Sequence, residues 1–199
     1  MAATAAPYGL RAVNHLGGTP YAGSTRMYPI ASATAINIYY GSVVNVLGTG
    51  FLTANLTVGT AAAPFVAGTV GVFVGVTYTD PGSNQVVFRQ NWPTGTVAAD
   101  ALAYVVDDPA AIFQVQANGT VAQAGLGSNC FLVVQATGTG NLLSGNSTTA
   151  AVAATVQTAA AFKIVGFVDS PTSTVGDAFT DLLVKFNPAA HAYTNGTGI

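Results

Sequence analysis

Apolar and polar residues alternate with a period of two through the middle and C-terminal parts of the chain, and that pattern predicts strands. Thr34 to Tyr40 sets Ile36, Ile38 and Tyr40 against Asn37 and Tyr39. Val70 to Thr79 sets Val72, Val74, Val76 and Tyr78 against Phe73, Gly75 and Thr77. Asp80 to Asn84 (DPGSN) then supplies turn chemistry, Pro fixing φ and Gly admitting φ > 0. With Gln85 to Arg89 behind it, this stretch reads as a hairpin. Further strands are expected over Leu102–Val106, Ile112–Ala117, Cys130–Ala136, Phe162–Val168 and Asp181–Phe186. Ala150–Phe162 is rich in alanine, but the β-branched Val152, Thr155, Val156 and Thr158 favour a strand over a helix. Many short strands separated by turn residues define an all-β chain, as a β-sandwich or a small β-barrel.

The N-terminal stretch follows neither period. Pro7, Gly17-Gly18, Pro20 and Gly23 interrupt any regular element, yet Tyr8, Leu10, Arg11, Tyr21, Arg26 and Tyr28 are more than a solvated tail needs. Residues 1–28 are therefore expected to form an extended N-terminal arm, lying on its own domain or on a neighbour. Residues 29–199 form a single β domain. Asn118-Gly119 is a tight-turn dipeptide, Asp107-Asp108-Pro109 divides one strand from the next, and Gly138–Ser147 reads as a surface loop.

Composition changes the picture at one point, the surface. Half of the 199 residues are hydrophobic and 6% are charged, against about 25% in ordinary soluble domains. Five Lys or Arg face seven Asp, for a net charge of −2, with mean hydropathy +0.49. Five scattered cations exclude an electrostatic nucleic-acid binder, high hydropathy excludes a disordered chain, and the single Cys130 excludes a disulfide-stapled module. Every apolar run is broken well short of the roughly 20 residues a membrane helix needs, so no membrane partner is expected. The N-terminus lacks the basic start of a signal peptide, which suggests synthesis in a cytosol-like compartment. Thr, Ser, Asn, Gln and Gly must cover the exterior, and such a surface is cheap to desolvate. That favours a protein docked against neighbours, as a homo-oligomer.

The inventory for chemistry is poor. His15 and His191 have no zinc spacing and no carboxylate next to either in sequence. Cys130 opens an apolar strand as a small buried hydrophobe. Asp107-Asp108, the one adjacent acid pair, caps a turn more readily than it does acid/base work, and Asp177 and Asp181 read as solvating charges. Gly48-Thr49-Gly50 and Gly138-Thr139-Gly140 lack the rest of a phosphate loop, and no nucleophile elbow is present. No enzymatic activity, cofactor or metal is expected. Trp92, between Asn91 and Pro93, serves either as an interface anchor or in the core.

Several segments resemble small virion structural proteins of tailed bacteriophages, notably short-tailed phages of marine bacteria. They are Tyr8–Arg26, GVFVGVTYTDP (Gly71–Pro81), QNWPTGT (Gln90–Thr96), AYVVDDPAAIFQVQA (Ala103–Ala117) and GDAFTDLLVKFN (Gly176–Asn187), followed by His191-Ala192-Tyr193. The resemblance implies a head-associated role in the virion, as a capsid decoration or cement protein, mostly β and commonly trimeric, on the outside of the shell. The major capsid protein would then be its partner, and a tail or fibre component is the alternative. The chain is too short of long 3.6-period pattern for a major capsid protein's spine helix. On this reading Tyr8, Leu10, Arg11, Tyr21, Arg26 and Tyr28 anchor the arm on a capsid protein or an adjacent subunit, Tyr and Arg being the residue types that dominate interface energy.

Overall fold

In the computed structural model, which describes residues 4–54, 65–133, 140–153, 159–196 and 198, strands of alternating residues pair antiparallel throughout into two sheets. The strands are β1 (Arg11–His15), β2 (Arg26–Pro29), β3 (Val43–Val46), β4 (Leu52–Ala54), β5 (Thr69–Thr79) and β6 (Val86–Arg89). They continue with β7 (Leu102–Val106), β8 (Ala111–Gln116), β9 (Asn129–Cys130), β10 (Phe162–Phe167) and β11 (Asp181–Phe186). Sheet one runs β1-β8-β11-β10-β9, and sheet two runs β2-β7-β5-β3-β4 with β6 also on β5. Among the described residues there is no α-helix, only single 3-10 turns at Gln123–Gly125 and Pro188–Ala190. The two sheets pack together, so the chain is an all-β sandwich.

The long β5 explains the architecture of sheet two. Val72 to Thr77 pair with β7 along one edge, while the other edge is shared by β3 near its start and by β6 over Val76 to Thr79. Its side chains are shared between two cores, with register shifts against β3 and β7 breaking strict alternation. Val72 joins Val43, Val106, Phe113, Phe162, Leu182 and Phe186 between the sheets. Val70, Phe73, Val76 and Tyr78 join Ile30, Ile38, Trp92, Ala101 and Val105 in a second core on the far face of sheet two. Gly71 is required where β5 meets β7: a Cβ there would stand 2.0 Å from the Val106 carbonyl oxygen, at φ +156.

The strand expectations over 70–79, 102–106 and 181–186 coincide with β5, β7 and β11 to within a residue. The DPGSN turn closes the β5–β6 hairpin, with the Asp80 carboxylate accepting from the Ser83 N–H at 3.1 Å and Asn84 at φ 53. Thr34–Tyr40 is not a strand. Ile36 and Ile38 do point into the second core, but the backbone makes only isolated bridges, Ile38 with Trp92 and Tyr40 with Asn146. Asn118-Gly119 does not close a hairpin, because β8 pairs with β1 and β11 instead, while Asn118 Oδ1 accepts from the Ala153 N–H at 2.7 Å. Within Cys130–Ala136 only Cys130 lies in a strand and Val134–Ala136 fall outside the described residues. Ala154–Thr158 and Gly138–Thr139 fall outside them too, and the described parts of Ala150–Phe162 are irregular up to β10.

The stretch 1–28 does not stand apart as an arm. Arg11–His15 is β1 on β8 and Arg26–Pro29 is β2 on β7, one strand in each sheet. Leu10 is fully buried in the inter-sheet core. Of the two positions expected for this segment, it takes the one on its own domain.

Candidate functional site: an acidic corner and an uncharged sheet face

Asp107-Asp108-Pro109 carries the chain from β7 in sheet two to β8 in sheet one, and the two carboxylates there hold side chains of the N-terminal segment, which in turn contact Tyr193 near the other end. Asp107 Oδ2 lies 2.8 Å from Arg26 Nε and accepts from the Tyr28 hydroxyl at 2.9 Å. The Tyr28 and Tyr193 hydroxyls share a further hydrogen bond, and the Arg26 guanidinium sits 5.1 Å over the Tyr193 ring. Asp108 Oδ2 pairs with His15 Nδ1 at 2.9 Å, while Oδ1 accepts from the Ala110 N–H at 2.7 Å as a turn cap. The absence of a carboxylate beside His15 in sequence is thus reversed in space. Burial pushes the Tyr28 hydroxyl's pKa well above its usual range, and its bonds to Tyr193 and Asp107 add to that.

His191 lies under the same corner, buried, its ring 5.4 Å from Phe186 and 5.6 Å from Tyr193. Nδ1 accepts from the Tyr193 N–H at 3.2 Å, which requires that nitrogen to be unprotonated. Nε2 is buried near the backbone of Val70 and Asp107 without a well-formed hydrogen bond. Desolvation holds the imidazole below its ordinary range, against the opposing pull of the Asp107 charge. These contacts restrain segments. Among the described residues no group of three His, Cys, Asp or Glu could hold a metal.

The other sequence candidates are similarly engaged. Tyr8 donates to Asp181 Oδ1 at 3.0 Å, and Arg11 stacks on its ring at 4.4 Å. Tyr21 donates to the Ser24 carbonyl, with its ring tilted against His15. Tyr28 is in the second core. Trp92 is fully buried there too, edge-on to Tyr78 at 5.2 Å, so of its two expected places it takes the core. Asp177 caps a turn by accepting from the Thr174 N–H at 2.9 Å. A cavity of about 280 Å³ opens beside Cys130, walled by Val121, Val152 and Ile164 with Thr120 and Ser128 at its side. Burial pushes the Cys130 thiol up to about 12, so it is no nucleophile at neutral pH.

What sequence reasoning missed is a surface. The face of sheet two that contributes Val43, Val72 and Val106 to the inter-sheet core continues along β5 and β7 into an exposed stretch, an overhang. There Pro29 pairs with Leu102, Leu102 with Thr77 and Thr77 with Phe88, one row across four strands. Met27, Tyr104 and Gly75 form the next row, and Thr79 and Val86 the third. Met27 is 56% exposed, Val86 71%, Phe88 62% and Leu102 40%. Phe88 lies over Gly75, where a Cβ would meet its ring at 2.4 Å, and tilts against Tyr104 at 5.9 Å. Alternation sends the charges elsewhere. Arg26 and Arg89 sit at positions of the opposite face of sheet two, paired with Val105 and Val76. Arg11, Lys163 and Lys185 lie on the outer face of sheet one, in register with Gln114, Lys185 and Lys163 respectively. Val86 and Phe88 alternating with Val87 and Arg89 was the available signal, but the sequence does not say which stretch of a sheet face stays uncovered.

The fold defines an all-β sandwich. Compared with protein-family models, with curated proteins and with solved structures, the chain matches none.

Proposed function

We propose that this chain is a structural protein of a phage virion, a decoration or cement protein that binds the outside of the capsid and stabilises the shell. Its partners are the major capsid protein and further copies of itself, as a trimer, with no nucleic acid or membrane involved. The observation that carries the reading is the placement of charge. A sandwich with five Lys or Arg and seven Asp directs its cations away from one broad apolar sheet face and uses Asp107, Asp108 and Asp181 to restrain its own segments. Such a face loses little hydration on contact. The resemblance of segments such as Gly71–Pro81 and Ala103–Ala117 to virion proteins of tailed phages supplies the setting. Of the six residues expected to anchor the N-terminal segment, Leu10 and Tyr28 lie in the cores, and Tyr8, Arg11, Tyr21 and Arg26 make contacts within the chain.

Quantitative mass spectrometry of purified particles tests the proposal. A decoration protein is expected at on the order of hundreds of copies per particle, following the symmetry of the shell. A handful of copies would assign it to the tail or fibre, and its absence would remove it from the virion.

A further inference from the structure

The overhang of sheet two continues the inter-sheet core. Its strands β5 and β7 contribute Val72 and Val106 to that core at one end and present Thr77, Leu102 and Tyr104 to solvent at the other. The same sheet face therefore runs, across the bulge between Phe73 and Gly75 in β5, from a covered region into an uncovered one. Within the chain, the covered part meets an apolar β layer made of Phe113, Val115 and Leu182. The surface that suits the uncovered part is another apolar or Thr-rich β layer, set about 10 Å away.

From this continuity we propose that the overhang formed by β2, β7, β5 and β6 is the surface on which a second copy of this chain packs. The proposal rests on the self-assembly in the reading above and names the face that performs it. Two physical points select a second copy as the occupant. The chain carries a net charge of only −2, so two copies repel weakly. Every Lys and Arg lies off this face, and of the nearby acids Asp100 reaches its third row, accepting from the Thr79 N–H and hydroxyl, while Asp80 is held in the β5–β6 turn. The area is also sufficient. Four strands about 4.8 Å apart and three side-chain rows about 7 Å apart give roughly 300 Å² in projection, and about 500 Å² once side-chain relief is included. Contact with an equal area on a second copy buries about 1,000 Å² in all, the lower limit for a specific interface. Phe88, laid over Gly75, and Tyr104 supply its aromatic anchors.

The test is light scattering behind a sizing column on the full chain, with Val86→Lys and Met27→Lys as variants. Both side chains are more than half exposed, so a lysine stem lies on the surface and each variant is expected to melt within a few degrees of the parent. The parent is expected at a multiple of 19.9 kDa. Both variants are expected to lose association and elute as single chains. Hydroxyl-radical oxidation of Met27 in the parent, which needs no substitution, is expected to fall with association. Folded variants that keep the parent mass overturn the proposal, as does a parent that stays a single chain at every concentration, or oxidation of Met27 that is unaffected by association. Copy counting in particles reads the coat assignment separately. A chain abundant in virions whose association ignores both substitutions fails on the face alone, whereas one that associates through the face yet is missing from virions fails on the coat assignment alone.

Discussion

Arg26 Nε stands 2.8 Å from Asp107 Oδ2, and this contact fastens β2, near the start of the chain, to the turn where β7 leaves sheet two for sheet one. Tyr28, on the same strand, reaches the same carboxylate from 79 positions away in sequence. The two bonds differ in weight. The Arg26 side chain is 62% exposed, and exposed ion pairs contribute little, whereas the Tyr28 hydroxyl is buried beside Tyr193. Tyr28→Phe is therefore expected to lower stability by about 1 kcal/mol, while Arg26→Ala changes it little. Urea denaturation of the two variants checks the order, and a larger loss for Arg26→Ala would reverse it.

Removing residues 1–28 tests the place of the N-terminal segment. The deletion takes away β1 and most of β2, uncovers the edges of β8 and β7, and empties the Leu10 site in the core. The truncated chain is expected to be insoluble or unfolded by circular dichroism. A soluble, cooperatively melting product would show that the segment is dispensable.

Gly71→Ala is expected to cost about 3 kcal/mol or more, since the new methyl would overlap the Val106 carbonyl where β5 and β7 pair. Gly48→Ala, which meets nothing within 4 Å, is the control and is expected within about 0.5 kcal/mol of the parent. Thermal or urea unfolding compares them.

His191 makes stability depend on pH. Burial lowers its pKa from 6.5 in the native state, so below that pH the unfolded chain binds a proton that the native chain refuses. Stability then falls as pH drops beneath 6.5 and levels off once the native pKa is passed. His191→Phe, whose ring keeps the contacts with Phe186 and Tyr193, is expected to flatten the profile below pH 6.5. An unchanged slope in urea midpoints would assign the effect to another group.

Cys130 is buried with its thiol pKa raised to about 12. Iodoacetamide at neutral pH is expected to leave the native chain unmodified and to label it promptly in denaturant. Fast native labelling would mean that the β9 edge opens readily.

The strands that the sequence announces are those whose alternation serves a single covered face, as in Asp181–Phe186, or whose ends carry strong turn residues, as in the hairpin of β5 and β6. β1 and β2 stayed hidden because each is short and flanked by Gly and Pro, and because β1 carries a register shift between Ala12 and Asn14. Thr34–Tyr40 alternates for a different reason. It lays Ile36 and Ile38 over the second core as a covering segment, and Asn37 Oδ1 accepts from the Thr94 N–H rather than facing solvent as on a strand. The corner at Asp107 and Asp108 depends on partners from both ends of the chain, which no local pattern links. The overhang was illegible for a simpler reason: exposure there is set by what the rest of the fold covers.

The central claim is that this protein docks by covering uncharged surface rather than by matching charges, and salt tests it most directly. Under the proposed virion role, purified protein is titrated onto empty tailed-phage shells that lack it, at 50 mM and at 1 M NaCl. Screening falls from roughly 14 Å to about 3 Å across that range, so the expected result is saturable binding whose Kd moves by less than about twofold. Binding that weakens by more than about tenfold, or no binding at either salt, would contradict the claim.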